Sequence, residues 1–367
     1  MDLRVVIAAG GTGGHLFPGI AVAREFKAAA DAAVTFLTTP KAVTAQILES
    51  YGCTYEALET RALKGEGFFS RGRTLLSLPG SVWQARRRLQ ALNPHLVLGM
   101  GGHTAGPVGV AAWTLGTPLA LHEQNAIPGS TNRWLSRLAQ RVFVSFPETQ
   151  RYLPAGLTIW TGNPIREEFF QDWPPRQRTP FTVLITGVSH GAHHLNLEVL
   201  AALPRLTDLR ERLRFLHLPG AADRELVAAG YDETGFEAQV MGFSPEMPEL
   251  MARAHLIVCR AGASTLAELA AVGRAALLVP YPFAANNHQE HNARFLTEAG
   301  AAEMILNKNF TGEVFAGKIR QFISQPDTLA QMEAAARRLA RPHAAQDIVQ
   351  GCLELLNPAE GKQSPPP

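Results

Sequence analysis

Four times along this chain a short run of aliphatic and β-branched residues ends in a glycine-rich junction and passes into a stretch with helical apolar spacing. The junctions read Gly10-Gly11-Thr12-Gly13-Gly14-His15, Gly101-Gly102-His103-Thr104-Ala105-Gly106-Pro107, Gly187-Val188-Ser189-His190-Gly191-Ala192 and Arg260-Ala261-Gly262-Ala263-Ser264-Thr265. Strands alternating with helices in this way make βαβ units and a parallel sheet. Strands are expected at 5–9, 34–38, 96–100, 119–122 and 142–145, and again at 181–186, 214–217, 238–241, 256–259 and 276–279. Helices are expected between them, at 20–29, 42–50, 82–92 and 131–139 in the first half. The pattern runs twice, so the 367 residues form two doubly wound α/β domains, in line with roughly 150 residues per domain. Gly162-Asn163-Pro164 and the Asp172-Trp173-Pro174-Pro175-Arg176 stretch mark the boundary, because proline continues neither helix nor sheet. The expected division is 1–163 and 164–343, followed by a helix at 344–356 and a frayed tail at 357–367.

Composition narrows the function classes. Hydrophobic residues make up 46% and charged residues 18%, enough apolar material for large cores and too little charge for disorder. The balance of 34 basic and 32 acidic residues, a net +2, speaks against a chain that neutralises a nucleic-acid backbone, so no nucleic-acid partner is expected. Cys53, Cys259 and Cys352 stand far apart without a C-x-x-C pair, which predicts neither a disulfide framework nor a zinc knuckle and fits a reducing compartment. Met1–Arg4 runs straight into the first strand, so no secretory leader is expected. No run of about 18 uncharged apolar residues predicts a membrane span.

Glycine at a strand-to-helix turn lets main-chain N–H groups approach a ligand, and the helix that follows aims its positive end at the same place. Two such junctions in each domain predict a phosphate-bearing ligand in a cleft that the two domains face, at the carboxyl ends of the strands. A dinucleotide fits poorly. Gly11-Thr12-Gly13-Gly14-His15-Leu16 lacks the last glycine of G-x-G-x-x-G, and the second strand ends Leu37-Thr38-Thr39-Pro40 with no acid for a ribose diol. A G-x-x-x-x-G-K-[ST] loop is absent too, and no cofactor is expected.

Four motifs carry a resemblance. Gly10 through Gly19 (GGTGGHLFPG), His122-Glu123-Gln124-Asn125 with Pro128-Gly129, Gly162-Asn163-Pro164-Ile165-Arg166, and Cys259 through Glu268 (CRAGASTLAE) resemble, in order, those of the MurG family. That family is the peptidoglycan N-acetylglucosaminyltransferase, and the match runs from residue 3 to about 356. The resemblance implies the GT-B architecture, with an N-terminal domain for the undecaprenyl-linked acceptor and a C-terminal domain for UDP-N-acetylglucosamine. It also implies that helix 344–356 crosses back to the first domain. The implied reaction is inverting transfer of N-acetylglucosamine to the 4-hydroxyl of undecaprenyl-pyrophosphoryl-N-acetylmuramyl-pentapeptide. Two other readings stay open: a sugar-nucleotide-binding partner of the wall machinery with little or no activity, and a UDP-sugar epimerase or hydrolase on the same fold.

By the family pattern, Glu268 would bind the ribose hydroxyls and the main chain at Phe243-Ser244 the uracil. Ser189 and the N–H groups at Ala263, Ser264 and Thr265 would hold the diphosphate, with Arg166 adding charge. Gln289 would read the sugar hydroxyls. Thr12, Gly13 and Gly14 would line the first junction, His103 and Thr104 would meet the acceptor pyrophosphate, and Asn125 would orient sugar or acceptor. His15 and Glu123 are both candidates for the base, because a sugar hydroxyl attacks only when a positioned group takes its proton. Val188, His190 and His288 depart from the family's usual residues, which leaves the sugar and phosphate contacts open to retuning. His190, His193, His194, His288 and His291 lack the spacing of a zinc site, and no metal is expected.

Between Arg61 and Arg88, seven basic residues (Arg61, Lys64, Arg71, Arg73, Arg86, Arg87 and Arg88) face a single acid, Glu66. They interleave with Phe68, Phe69, Leu75, Leu76, Leu78, Val82 and Trp83. A basic, aromatic face of this kind rests on anionic lipid. With the lipid-linked acceptor, it predicts a peripheral protein on the cytoplasmic face of the cell membrane. By the resemblance, other wall-synthesis and division proteins are expected as partners.

Overall fold

The computed structural model describes residues 3–10, 13–58, 68–187, 193–242, 244 and 246–357, with backbone alone for 68–78. The chain forms two compact units. The first takes in residues up to Arg166 and resumes at Arg341; the second is Glu167–Ala340.

Unit 1 runs β1 (Arg4–Ala8), α1 (Gly13–Ala30), β2 (Ala33–Thr38), α2 (Ala42–Ser50), β3 (Thr54–Ala57), α3 (Phe68–Leu92), β4 (Leu96–Gly99), α4 (Gly102–Leu115), β5 (Leu119–Glu123), α5 (Ser130–Leu135), β6 (Arg141–Val144) and β7 (Thr158–Trp160). The sheet order is β3-β2-β1-β4-β5-β6-β7, and every pairing is parallel. Successive side chains of a strand point to opposite faces. Val5 and Ile7 accordingly join a core with Phe36 and Phe143 under α1, while Val6 and Ala8 join a second core with Leu37, Val97 and Val108. With both faces covered, the central strands are continuous apolar runs.

Unit 2 runs β8 (Phe181–Thr186), α6 (His193–Ala202), β9 (Leu213–Leu218), α7 (Arg224–Thr234), β10 (Glu237–Val240), α8 (Met247–Arg253), β11 (Leu256–Cys259), α9 (Ala263–Val272), β12 (Ala276–Leu278), α10 (His288–Glu298), β13 (Ala302–Met304), α11 (Gly312–Ser324) and α12 (Pro326–Leu339). Its parallel sheet is ordered β10-β9-β8-β11-β12-β13 over a core that includes Val183, Ile185, Phe215 and Val258. The last helix, α13 (Ala344–Leu356), belongs to unit 1. It packs on α1 and buries Ile348, Val349 and Cys352 in the core of Phe143. Gly351 lets it close on that ring, since a Cβ there would stand 2.7 Å from Phe143 Cε1. Arg141 ties it further, donating from Nη1 to Gly351 O at 2.6 Å and to Glu354 Oε2 at 2.7 Å.

Three strands lie outside the sequence expectations: β3, β7 and β13. All three are sheet edges. An edge strand is covered on fewer sides, and Thr54-Tyr55-Glu56-Ala57 or Ala302-Glu303-Met304 carries no apolar run to mark it. α3 is longer than expected, starting at Phe68 rather than 82 and passing through Pro79. α5 is shorter and ends at Leu135.

Candidate active site

In both sheets the strand order reverses once, between β1 and β4 in unit 1 and between β8 and β11 in unit 2. Ligands of open α/β sheets bind at the carboxyl ends beside such a switch point. The four glycine junctions are the four loops that leave those four strands.

In unit 1 the first two junctions pack backbone on backbone. Gly10 N–H donates to Gly101 O at 3.2 Å, and a Cβ on Gly10 would stand 2.8 Å from Gly102 Cα. Gly101 and Gly102 hold φ of +89° and +79°, a region open to glycine and strained for other residues. His15, third residue of α1 and half-buried, lays its ring against Gly101. A Cβ at 101 would lie 3.2 Å from His15 Cδ2 and 3.3 Å from both His15 Nε2 and Asn132 Nδ2. Glycine at 101 is thus what leaves room for the imidazole.

Glu123 ends β5 at 2% exposure. Its Oε1 accepts from Asn125 N at 3.0 Å and Asn125 Nδ2 at 3.4 Å; its Oε2 accepts from Gly129 N at 3.0 Å and Asn132 Nδ2 at 2.9 Å. Burial raises this carboxyl above the ordinary carboxylate value, against the four hydrogen bonds that lower it. The carboxylate therefore pins the 124–129 loop and α5 to the sheet. Beside it, burial holds the His122 imidazole down at about 4, so the ring is neutral near pH 7. Gln124 Nε2 donates to His122 Nδ1 at 3.0 Å, which places the ring proton on Nε2, facing Gly162 O at 3.3 Å. The main chain of Asn125 is held in turn by Thr149 Oγ1, which donates to Asn125 O at 3.1 Å. His103 is exposed at the start of α4, next to the buried Thr104. Gly13 and Gly14 open α1. Arg166 is half-buried and ends the first stretch of unit 1.

In unit 2 the fourth junction is the best defined. Gly262 caps α9, and Ala263 and Thr265 are buried in its first turn with Ser264 partly open. Glu268 is the sixth residue of α9 and stands in its second turn. Its charge, after burial, is the next cause that raises the Cys259 thiol at the end of β11 to about 12. Gln289, on α10, spends its Oε1 on two main-chain donors, Ala261 N at 3.1 Å and Tyr281 N at 2.9 Å. That leaves its NH₂ group to meet a ligand, as a donor to oxygen. Asn292, one turn on, donates to Ala261 O at 3.2 Å. Ser244 Oγ accepts from Glu246 N at 3.2 Å, closing the turn into α8. Thr12, Ser189 and Phe243 lie outside the described residues, as do Val188 and His190.

Sequence reasoning gave Arg260, Asn196, His217 and Asp223 no role. Arg260, 3% exposed, donates from Nη1 to Val279 O at 3.0 Å and to Asn307 Oδ1 at 2.7 Å, pinning the loop after β12. His193 does not gather ligands with its histidine neighbours. Its Nδ1 meets Asp223 Oδ1 at 2.9 Å, and Asn196 joins the other Asp223 oxygen at 2.7 Å to the buried His217 at 3.0 Å. Burial brings His217 down to about 3. His194 Nε2 faces Asn307 O at 3.0 Å, and His288 Nδ1 faces Ala285 O at 2.8 Å. Among the described residues, no three His, Cys, Asp or Glu side chains gather as metal ligands.

Residues 5–144 match the glycosyltransferase family 28 N-terminal domain, and 182–348 match its C-terminal domain. The chain is 43% identical over 357 residues to the UDP-N-acetylglucosamine--N-acetylmuramyl-(pentapeptide) pyrophosphoryl-undecaprenol N-acetylglucosamine transferase of Anaeromyxobacter sp. (strain K), covering 96% of this chain and 93% of that protein. It is 41% identical over 359 residues to the same-named transferase of Syntrophus aciditrophicus, covering 97% and 99%. Among solved structures, MurG of Acinetobacter baumannii superposes with a TM-score of 0.78 at 32% identity, covering 96% of this chain and 99% of that one. A UDP complex of S. aureus MnaA shares the fold alone, with a TM-score of 0.73 at 14% identity. With its motifs at the carboxyl ends of two switch-point sheets and its likeness running through both domains, the chain belongs to the MurG family of family 28 glycosyltransferases.

Proposed function

We propose that this chain transfers N-acetylglucosamine from UDP-N-acetylglucosamine to the 4-hydroxyl of undecaprenyl-pyrophosphoryl-N-acetylmuramyl-pentapeptide, with inversion and release of UDP. The observation that carries this reading is the 43% identity to a transferase of that name, sustained over 96% of the chain. His15 acts as the base on the acceptor hydroxyl. Glu123 is the alternative, but both its oxygens already serve the loop. The nucleotide sugar is held by unit 2, with Glu268 on the ribose, Gln289 on the sugar, Ser244 near the uracil, and Ser189 with the start of α9 on the diphosphate. Arg166 adds charge there. Thr12, Gly13, Gly14, His103, Thr104 and Asn125 serve the acceptor.

UDP release from UDP-N-acetylglucosamine, measured with and without a soluble lipid-acceptor analogue, tests the reading. Release that requires the analogue supports transfer. Release without it points to a hydrolase, and binding without release to a non-catalytic partner. Glu268→Ala is expected to weaken UDP-N-acetylglucosamine binding by about 1–3 kcal/mol, since ribose hydroxyls lose a charged acceptor; unchanged affinity in calorimetry removes Glu268 from the site. EDTA is expected to leave turnover intact, because helix N-terminal charge at α9 supports the leaving diphosphate. Loss of rate restored by a divalent ion overturns that.

The acceptor-binding unit rests on the anionic cytoplasmic face of the membrane. Among the described residues no helix is long and apolar enough to cross one. Trp83, Trp113 and Trp134 are exposed on α3, α4 and α5, helices that pack in that order, and Arg87 stacks over Trp83 at 4.9 Å. Exposed Arg133 and Arg137 flank Trp134. Tryptophan seated at headgroup level beside arginine suits such a surface. Arg61, Lys64 and Glu66 lie outside the described residues, as do the side chains from Phe68 to Leu78.

A further inference from the structure

We propose that Asn307 is a positioning residue of the donor site, an inference that rests on unit 2 holding UDP-N-acetylglucosamine. A diphosphate bound at two helix starts needs those starts at a fixed separation, because N–H groups meet phosphate oxygens over a narrow range of distances. The third and fourth junctions leave β8 and β11, neighbouring strands paired in parallel up to Thr186 and Cys259. α6 and α9 begin beyond those ends, at His193 and Ala263, where strand pairing no longer sets the spacing. The two helix starts therefore need a brace of their own.

Asn307, between β13 and α11, supplies it. Its main-chain oxygen faces His194 Nε2, in the first turn of α6, at 3.0 Å. A carbonyl can only accept, so that ring nitrogen carries the proton. Its side-chain Oδ1 accepts from Arg260 Nη1 at 2.7 Å, in the junction that opens α9. Both ends of this bridge are themselves held. On the α6 side, Glu198 Oε2 accepts from Gly312 N at 2.7 Å, and a Cβ on Gly312 would stand 2.8 Å from Ala201 C. The segment that carries Asn307 thus sits tight against α6. On the α9 side, Arg260 also donates to Val279 O at 3.0 Å and to Pro280 O at 3.4 Å. Gln289 Oε1 gathers Ala261 N and Tyr281 N, which ties the same loops to the amide that reads the sugar. Asn307 joins the brace around α6 to the brace around α9, and acts on the substrate only through them.

UDP affinity by calorimetry, set against uridine affinity by NMR titration, tests the bridge, because uridine lacks the diphosphate. Asn307→Ala is expected to weaken UDP about 5- to 20-fold, the cost of a lost hydrogen bond to a charged group, and uridine by less than about twofold. Asn307→Asp keeps an acceptor oxygen for Arg260 and is expected to restore UDP affinity to within about twofold of the wild type. His194→Ala cuts the other end and is expected to show the same split between UDP and uridine. It carries the test by itself if Asn307→Ala does not fold. The double variant is expected to lose no more than about twofold beyond the larger single loss, since one bridge breaks once. Unchanged UDP affinity in Asn307→Ala, equal losses for UDP and uridine, no rescue by aspartate, or additive losses overturn the proposal while leaving the donor site in unit 2. A wild-type chain that does not bind UDP overturns the donor reading itself.

Discussion

Replacing His15 with alanine is expected to lower turnover about 100- to 10,000-fold, while the affinity for UDP-N-acetylglucosamine stays within about twofold. A loss of that size corresponds to roughly 3–5 kcal/mol of barrier. The separation of rate from affinity follows from position. His15 lies over Gly101 in unit 1, whereas Glu268, Gln289 and the start of α9 belong to unit 2. Glu123→Gln is the companion measurement. If the carboxylate only anchors the loop, an amide of the same shape loses part of the network and activity falls less than for His15→Ala. Near-normal turnover in His15→Ala with none in Glu123→Gln moves the base to Glu123.

Gly102→Ala is expected to destabilise unit 1 by about 2–5 kcal/mol, combining a strained left-handed residue with an overpacked contact. The new methyl meets backbone and not a side chain that can swing aside. Gly102 holds φ at +79°, and its Cβ would stand 2.8 Å from Gly10 Cα and 3.3 Å from Gly10 N. Either the β1 turn or the β4 turn must open, so His15 loses its seat as well. Gly14→Ala is the control, with nothing within 4 Å of its Cβ, and a stability change between zero and a gain of about 1 kcal/mol is expected there. Urea denaturation followed in unit 1 distinguishes the two. Equal midpoints would falsify the close approach of the first two junctions.

Much of this was legible because parallel sheets write themselves plainly. Buried central strands such as Leu256–Cys259 are unbroken apolar runs, and each switch-point strand leads into a junction that contains glycine. The edge strands β3 and β13 carry no such run, and β7 is only three residues long, so these three went unmarked. At the site, the motif at 122–125 pointed to Glu123 but not to what holds it. Two of the four donors come from Asn125 within the motif, but the other two come from Gly129 and Asn132, six and nine positions on, and converge only once α5 folds back onto β5. The histidines at 193 and 194 showed the same limit. Their spacing spoke against a zinc site but named no partner, and that of His193 is Asp223, thirty residues away on another loop. Gln289 was expected to read the sugar hydroxyls. Its oxygen also braces two loops, a role set by main-chain groups that no motif encodes.

The return of α13 to unit 1 bears on how the protein is made. Unit 2 is one continuous stretch, Glu167–Ala340, and is complete as soon as it leaves the ribosome. Unit 1 is not. Its core of Phe26, Phe36 and Phe143 also needs Ile348, Val349 and Cys352. At roughly 5–20 residues per second, the intervening stretch 167–340 takes on the order of ten to thirty-five seconds to synthesise. For that interval the nascent first unit carries an uncovered apolar strip on α1 and β6, a surface shaped to attract a chaperone or a neighbouring chain. The later-synthesised unit is therefore the first able to finish folding, and the helix that completes unit 1 arrives only after the whole of unit 2 has been made.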